Sequence, residues 1–209
     1  MKLYYSPGTC SLSPHIALRE AALDFTLVKV DSKTKTTEHG ADYWKINPHG
    51  YVPALELDDG EVLTEGPAIV QYIADLKPQA QLAPANGTLE RTRLQSALGF
   101  INSELHKGIG GLFAPNLSEA DRTLALQKID VRLQQVAAKL EGRPWLVNGS
   151  YSAADGYLYN VLRWLKFFDV DLGRWPLLAA HSERVAARPA VQAALKAEGV
   201  VDSASVTPV

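Results

Sequence analysis

Between Lys77 and Gly87 the chain reads KPQAQLAPANG, and the spacing of apolar residues changes across that stretch. Upstream, short runs of β-branched and aromatic residues alternate with helical spacing. Downstream, every apolar pattern is helical. Prolines and a terminal glycine punctuate the stretch itself, as in a connector. A chain broken this way folds as an α/β unit at 1–77, a linker at 78–87 and an all-helical unit at 88–200. The last stretch, 201–209, has no pattern and is expected to be mobile. The 209 residues suffice for two small cores.

The first unit begins with KLYY at Lys2–Tyr5, a strand ended by Ser6-Pro7-Gly8. Leu12, Ile16, Leu18 and Ala22 follow at near-helical spacing, with Pro14 tolerated in the first turn. FTLVKV, from Phe25 to Val30, is a second strand, parallel to the first because a helix joins them. The polar stretch DSKTKTTEHGADYWKINPHG is too long for a turn and is expected to hold a loop and an irregular helix. VPALEL and VLT flank Asp58-Asp59-Gly60, a hairpin signal. EGPAIVQYIADL then forms a helix, with Pro67 near its start. The expected product is a mixed four-stranded sheet flanked by helices.

In the second unit, Leu94, Leu98, Ile101, Leu105, Ile109 and Leu112 form one helical stripe. Ser118–Leu140 is a second long helix. Ser152-Ala-Ala-Asp155 resembles a capping box ahead of GYLYNVLRWLKFF, which is apolar on nearly every side and belongs in the middle of a bundle. Shorter helices are expected at Pro176–Ala187 and Pro189–Ala197.

A net charge of -2 gives no electrostatic reason to expect nucleic acid or an anionic membrane as partner. One cysteine excludes an intramolecular disulfide. MKLYYSPG lacks the apolar core of a signal peptide, and no apolar run approaches the ~18 residues of a membrane span, so the expected location is the cytoplasm.

Four features carry chemistry. Cys10 stands between a strand end and a helix start, where free N–H groups and the helix dipole favour an anion; a thiol pKa below the free value of ~8.5 is expected. The plain alternative is a small buried hydrophobe. Ser13 stands where a CxxC motif would need its second cysteine. Pro53, at the start of a strand, suggests a cis bond after Val52, which frees the Val52 backbone to pair with an extended ligand; an edge-strand proline is the alternative. Glu65 and Gly66 open a helix, offering N–H groups to a carboxylate and an acidic side chain to an ammonium, or else simply an acidic helix start. Gly99, Asn102 and His106 lie within ~60° on an ideal helical wheel, beside the apolar stripe. A structural histidine is the alternative there.

These segments together resemble the cytosolic glutathione transferases, and most closely their bacterial beta class. The segments are MKLYYSPGTCSLSPHIALRE, NPHGYVPALELDDG, LTEGPAIVQYIAD, SELHKG and SAADGYLYNVLRW, in that order over nearly the whole chain. The resemblance implies a thioredoxin-like N-terminal domain, a helical C-terminal domain, and a homodimer. It implies glutathione as cosubstrate and no metal. By it, Cys10 contacts glutathione or forms a mixed disulfide with it. Val52 and Pro53 pair with the cysteinyl unit, Glu65 and Gly66 with the γ-glutamyl group, and Lys35 with the glycyl carboxylate. Ser103, Glu104, His106 and Lys107 are the helical-domain contacts, Glu104 reaching the neighbouring subunit's ligand and Lys107 assisting the thiol. Cys10 and His106 are the implied catalytic pair, and Asp155 is a folding residue. Three departures stand out: Gly99 replaces the usual Asn, EGP replaces EGV, and GIGGLFAPN is small and glycine-rich, which suggests a roomy pocket.

The implied activity is conjugation of the glutathione thiolate to electrophilic apolar compounds held between the domains, that is, detoxification. One rival is thiol-disulfide reduction or reductive dehalogenation with Cys10 as nucleophile. The other is non-catalytic carriage of glutathione, haem or hydrophobic compounds.

Overall fold

A computed structural model of the chain describes residues 1–147 and 149–200. The mobile tail expected at 201–209 therefore lies outside the described residues. The chain divides into two compact units, one of Met1–Leu82 with the segment that begins at Pro189, the other of Ala83–Arg188.

The first unit is built on β1 (Lys2–Tyr5), α1 (Leu12–Glu20), β2 (Thr26–Asp31), β3 (Thr36–Thr37), β4 (Ala54–Glu56), β5 (Val62–Thr64) and α2 (Gly66–Leu76). Its sheet runs β3-β2-β1-β4-β5. β1 and β2 are parallel, as the intervening helix requires, and the other pairs are antiparallel. The sheet is mixed and thioredoxin-like, but it has five strands where four were expected. The extra strand is two residues long, inside the polar stretch, and is too short to leave a periodic signal; it exists because Val30 and Thr37 pair. The irregular helix expected in the same stretch is a single 3-10 turn at Tyr43–Lys45, capped by Asp42. Asp58-Asp59-Gly60 does turn β4 into β5, with Gly60 at a φ of 90° that costs glycine little.

Alternation along the strands divides two apolar layers. Tyr4, Val28, Val30, Tyr43 and Ala54 cluster together. Leu3 and Leu55, register partners, are fully buried, as are Leu12 and Ile16 of α1 and Ile69 and Ile73 of α2.

The second unit carries α3 (Leu89–Phe100), a π-helical turn (Ile101–His106), α4 (Lys107–Gly111), α5 (Glu119–Lys139), α6 (Ala153–Leu162) and α7 (Pro176–Ala186). All six residues of the Leu94–Leu112 stripe are buried. So is every residue of α6, as its uniform apolarity demands. The Asp155 carboxylate at its start accepts hydrogen bonds from the Ser152 and Leu146 amides, the Ser152 hydroxyl and His181 Nε2.

The last helix, α8 (Pro189–Glu198), departs from the sequence pattern, which puts it with the other helices at 88–200. It packs instead on α1 in the first unit. Buried Glu198 explains the attachment. Its Oε1 accepts from His15 Nδ1 at 2.8 Å and its Oε2 from the Gly8 amide at 2.8 Å, while Arg19 Nε donates to His15 Nε2. These bonds clamp the turn that leads into Cys10.

Candidate functional site

In the first unit, five of the expected residues form one connected surface. The Val52–Pro53 peptide is cis. The Cys10 thiol donates to the Val52 carbonyl at 3.0 Å. Across from it, a Cβ on Gly66 would lie 3.8 Å from Pro53 Cγ, so the start of α2 sits against the proline ring. The Glu65 carboxylate is close enough to Cys10 to act on its titration. Lys35 approaches from the β2–β3 turn, its Nζ 5.9 Å from the centre of the Tyr51 ring, one residue before Val52.

Glu65 has a φ of 66° and is exposed. A glutamate gains nothing from that left-handed backbone, and such strain gathers where a side chain has work to do. Beyond it, Pro67 has no N–H, and the Ala68 and Ile69 amides bond back to the Glu65 carbonyl. The Gly66 N–H is a first-turn amide without a hydrogen bond among the described residues. EGP is harmless to the helix, as its first-turn placement requires, and it removes one N–H from the helix start.

The expected acidic Cys10 is corrected. Its residue keeps some solvent contact, but the thiol is packed deeply enough that loss of water pushes its pKa up to about 12. The Cys10 and Ser11 amides favour the thiolate, as a helix start should, and Glu65 opposes it. Desolvation is the larger effect. In this structure Cys10 is a protonated donor.

The expected helical-unit residues divide between two faces. Asn102 and His106 turn toward α6, where both meet Tyr157: His106 Nδ1 lies 2.5 Å from the phenol oxygen, which donates to Asn102 Oδ1 at 2.9 Å. The Trp164 ring stands edge-on to His106 at 5.0 Å, and Phe113 packs on Trp164 and Phe168. The glycine-rich segment thus contributes Phe113 to an aromatic cluster beside His106. Ser103, Glu104 and Lys107 turn toward α5, where they line a groove of about 630 Å³ with Leu124 and Val131. Glu104 Oε2 is bonded to Arg132 Nε at 2.6 Å on its own chain. No atom lies within 4 Å of a Cβ built on Gly99, so the missing side chain leaves open space.

His106 is shifted in the opposite sense to Cys10. Burial, and then the Lys107 charge, lower its pKa to about 4, so the ring is neutral at pH 7. Tyr157 was not singled out from the sequence. Its one signal is a phenol on a helix buried along its whole length, where a hydroxyl needs a partner. The π-helical turn that carries Asn102 and His106 left no signal either, although such turns recur at functional sites.

A thioredoxin-like sheet with a cis-proline platform, followed by a helical unit with an inward histidine, defines a class of glutathione-handling protein. The comparisons agree. The family model described as glutathione S-transferase, N-terminal domain, matches residues 8–76, and the one described as glutathione S-transferase, C-terminal domain, matches 100–189. The chain is 44% identical over 200 residues to glutathione S-transferase GstA of Escherichia coli O157:H7, covering 96% of this chain and all of that one. A sphingomonad glutathione S-transferase solved in complex with glutathione superposes with a TM-score of 0.93 at 49% identity, over 96% of this chain and 100% of the other. The bacterial beta class glutathione S-transferase of Sphingomonas chungbukensis gives 0.93 at 48% identity with the same coverage. The chain belongs to the glutathione S-transferase family, and its solved neighbours include the bacterial beta class.

Among the described residues, no group of three or more His, Cys, Asp or Glu side chains is placed to hold a metal ion. No helix among them is long and apolar enough to cross a membrane.

Proposed function

We propose that this protein conjugates glutathione to electrophilic apolar compounds. The observation that carries the reading is the continuous surface from Cys10 through the cis Val52–Pro53 peptide to Glu65 and Gly66, in a chain of this family. On it, Glu65 meets the γ-glutamyl ammonium and the Gly66 N–H meets the adjoining carboxylate. The Val52 backbone pairs with the cysteinyl unit, and Lys35 with the glycyl carboxylate. Ser103, His106 and Lys107 are assigned to glutathione from the helical unit. In the reaction, the glutathione thiol loses its proton and its sulfur attacks an electrophilic carbon. A C–S bond forms, and the displaced electron pair leaves with a halide or, in an epoxide or enone, passes to the oxygen, which takes up a proton.

Cys10 is a contact to the glutathione sulfur in this reading, not the nucleophile, because its thiol is held protonated. The aromatic cluster of Phe113, Trp164 and Phe168 favours an apolar second substrate. A homodimer in the cytoplasm completes the proposal. Half-exposed Leu124 and Val131 border the groove of Glu104, where a second copy would cover them. Sharing Glu104 with that copy's ligand then requires Arg132 to yield.

The test is turnover of glutathione with 1-chloro-2,4-dinitrobenzene, enones and epoxides, with the conjugate identified by mass. Conjugates formed at enzymic rates support the reading. Glutathione binding by calorimetry with no conjugate from any electrophile overturns it in favour of carriage.

A further inference from the structure

The turn before Cys10 is held by the other end of the chain, within the first unit. Gly8 has a φ of 69°, and its N–H donates to Glu198 Oε2 at 2.8 Å across 190 positions. The other carboxylate oxygen, Oε1, lies 2.8 Å from His15 Nδ1, and both side chains are fully buried. Arg19 Nε, which can only donate, bonds to His15 Nε2 at 2.8 Å. The imidazole thus accepts on one side and donates on the other, linking guanidinium to carboxylate. The Tyr5 and Phe25 rings pack against it. Opposite, Ser6 Oγ ties the same turn to β2, donating to the Val30 carbonyl at 2.6 Å. Apolar burial alone can dock α8 on α1, since Val191 and Ala194 are fully buried. A buried carboxylate is costly unless bonded, and an apolar side chain of its volume often holds two helices as well. What the carboxylate adds is a fixed place for the turn.

We propose that Glu198 is a positioning residue for glutathione: through the Gly8 amide it fixes the turn that carries Cys10 against Val52. This rests on the assignment of that surface to glutathione above. Glu198 acts through Gly8, two residues before the thiol, and touches no substrate. A neutral amide cannot replace it. In Glu198→Gln the side-chain oxygen can accept from Gly8 or from His15, while the NH2 group faces the other donor. If the imidazole moves its proton to Nε2 to meet that NH2, Nε2–H confronts Arg19. Either way one bond between Arg19 and Gly8 is lost. A turn released on this side lets water reach the thiol, and loss of water is the main reason the thiol stays protonated. Cys10 thus reports the position of the turn without any ligand.

The test is Glu198→Gln in the full chain, at a temperature where urea unfolding shows it to be native. Alkylation of Cys10, the one cysteine, by iodoacetamide without glutathione is expected to quicken roughly threefold or more. Glutathione affinity by calorimetry and the KM for glutathione should each weaken about tenfold, with kcat at saturating glutathione falling less. Arg19→Met keeps an apolar stem over Phe25 and removes the donor to His15. It should move the same quantities in the same direction by less, and it serves if Glu198→Gln does not fold. Variants that lose stability while Cys10 reactivity and glutathione affinity stay at wild-type values overturn the proposal, because Glu198 then only docks α8. Faster alkylation in Glu198→Gln, with a wild type that binds no glutathione, would sink the proposed function and leave Glu198 as the residue that sets the Cys10 turn.

Discussion

Two histidines of the helical unit are held by the same helix in opposite ways. His181 is fully buried and bonds to the Asp155 carboxylate at the start of α6, which also accepts from Ser152 and Leu146. His106 is partly exposed and bonds to the neutral Tyr157 phenol two residues further along α6. At Asp155 a charge is met from every side by donors of the protein. At His106 the partner is a neutral phenol, which is itself bonded to Asn102. The Asp155 carboxylate, met by four donors, stiffens the start of α6, although His181 Nδ1 beside it is buried without a hydrogen-bond partner among the described residues.

The sharpest way to break this contrast is Asp155→Ala. It strips partners from buried donors, and the loss of stability is expected to be about 3–5 kcal/mol. Urea unfolding measures it. Activity per folded molecule stays near wild type if Asp155 is purely structural, and a loss below ~1 kcal/mol would remove the contrast.

The next largest effect concerns His106 and acid. The fold holds the ring neutral with a pKa near 4, whereas the unfolded chain protonates it near its ordinary 6.5. The unfolded state thus binds more protons between those values, and stability must fall as pH falls. The His106 contribution is complete above pH 6.5 and is lost on the way to pH 4, at a cost of about 3 kcal/mol. Denaturation midpoints measured across that window should slope downward toward acid in the wild type and lose that part of the slope in His106→Gln. Equal slopes would mean that burial leaves the ring unperturbed.

Glu65 carries the comparison into the first unit, where the backbone of the residue itself is strained. Glu65→Gly relieves the positive φ, so the fold is expected to hold or gain up to about 1 kcal/mol. The same change leaves an ammonium without its partner, and glutathione affinity should fall by ~1.5–3 kcal/mol, read by calorimetry. Stability and affinity moving together would identify Glu65 as a fold residue.

The smallest effect on stability is at Cys10. Cys10→Ser is expected to change it by less than about 1 kcal/mol. With the thiol held protonated, oxidised glutathione at pH 7 should add slowly to the native protein, and alkylation should quicken as pH rises. Rapid appearance of a single glutathionyl adduct in intact-protein mass spectra would instead support the disulfide chemistry considered for Cys10.

The sequence by itself determined what depends on near neighbours. The β-α-β and β-β-α order, the hairpin at Gly60, the buried stripe from Leu94 to Leu112 and the Ser152–Asp155 cap all rest on turn residues, periodicity or contacts a few positions apart. The cis bond before Pro53 was readable for the same reason. Only the tertiary structure decided the rest. Glu198 meets His15 across 183 positions and carries α8 to the first unit; Tyr157 meets His106 across 51; Arg132 takes the Glu104 carboxylate. The titration of Cys10 went against expectation because helix-start geometry can be read locally, whereas desolvation depends on what the whole fold packs around a group.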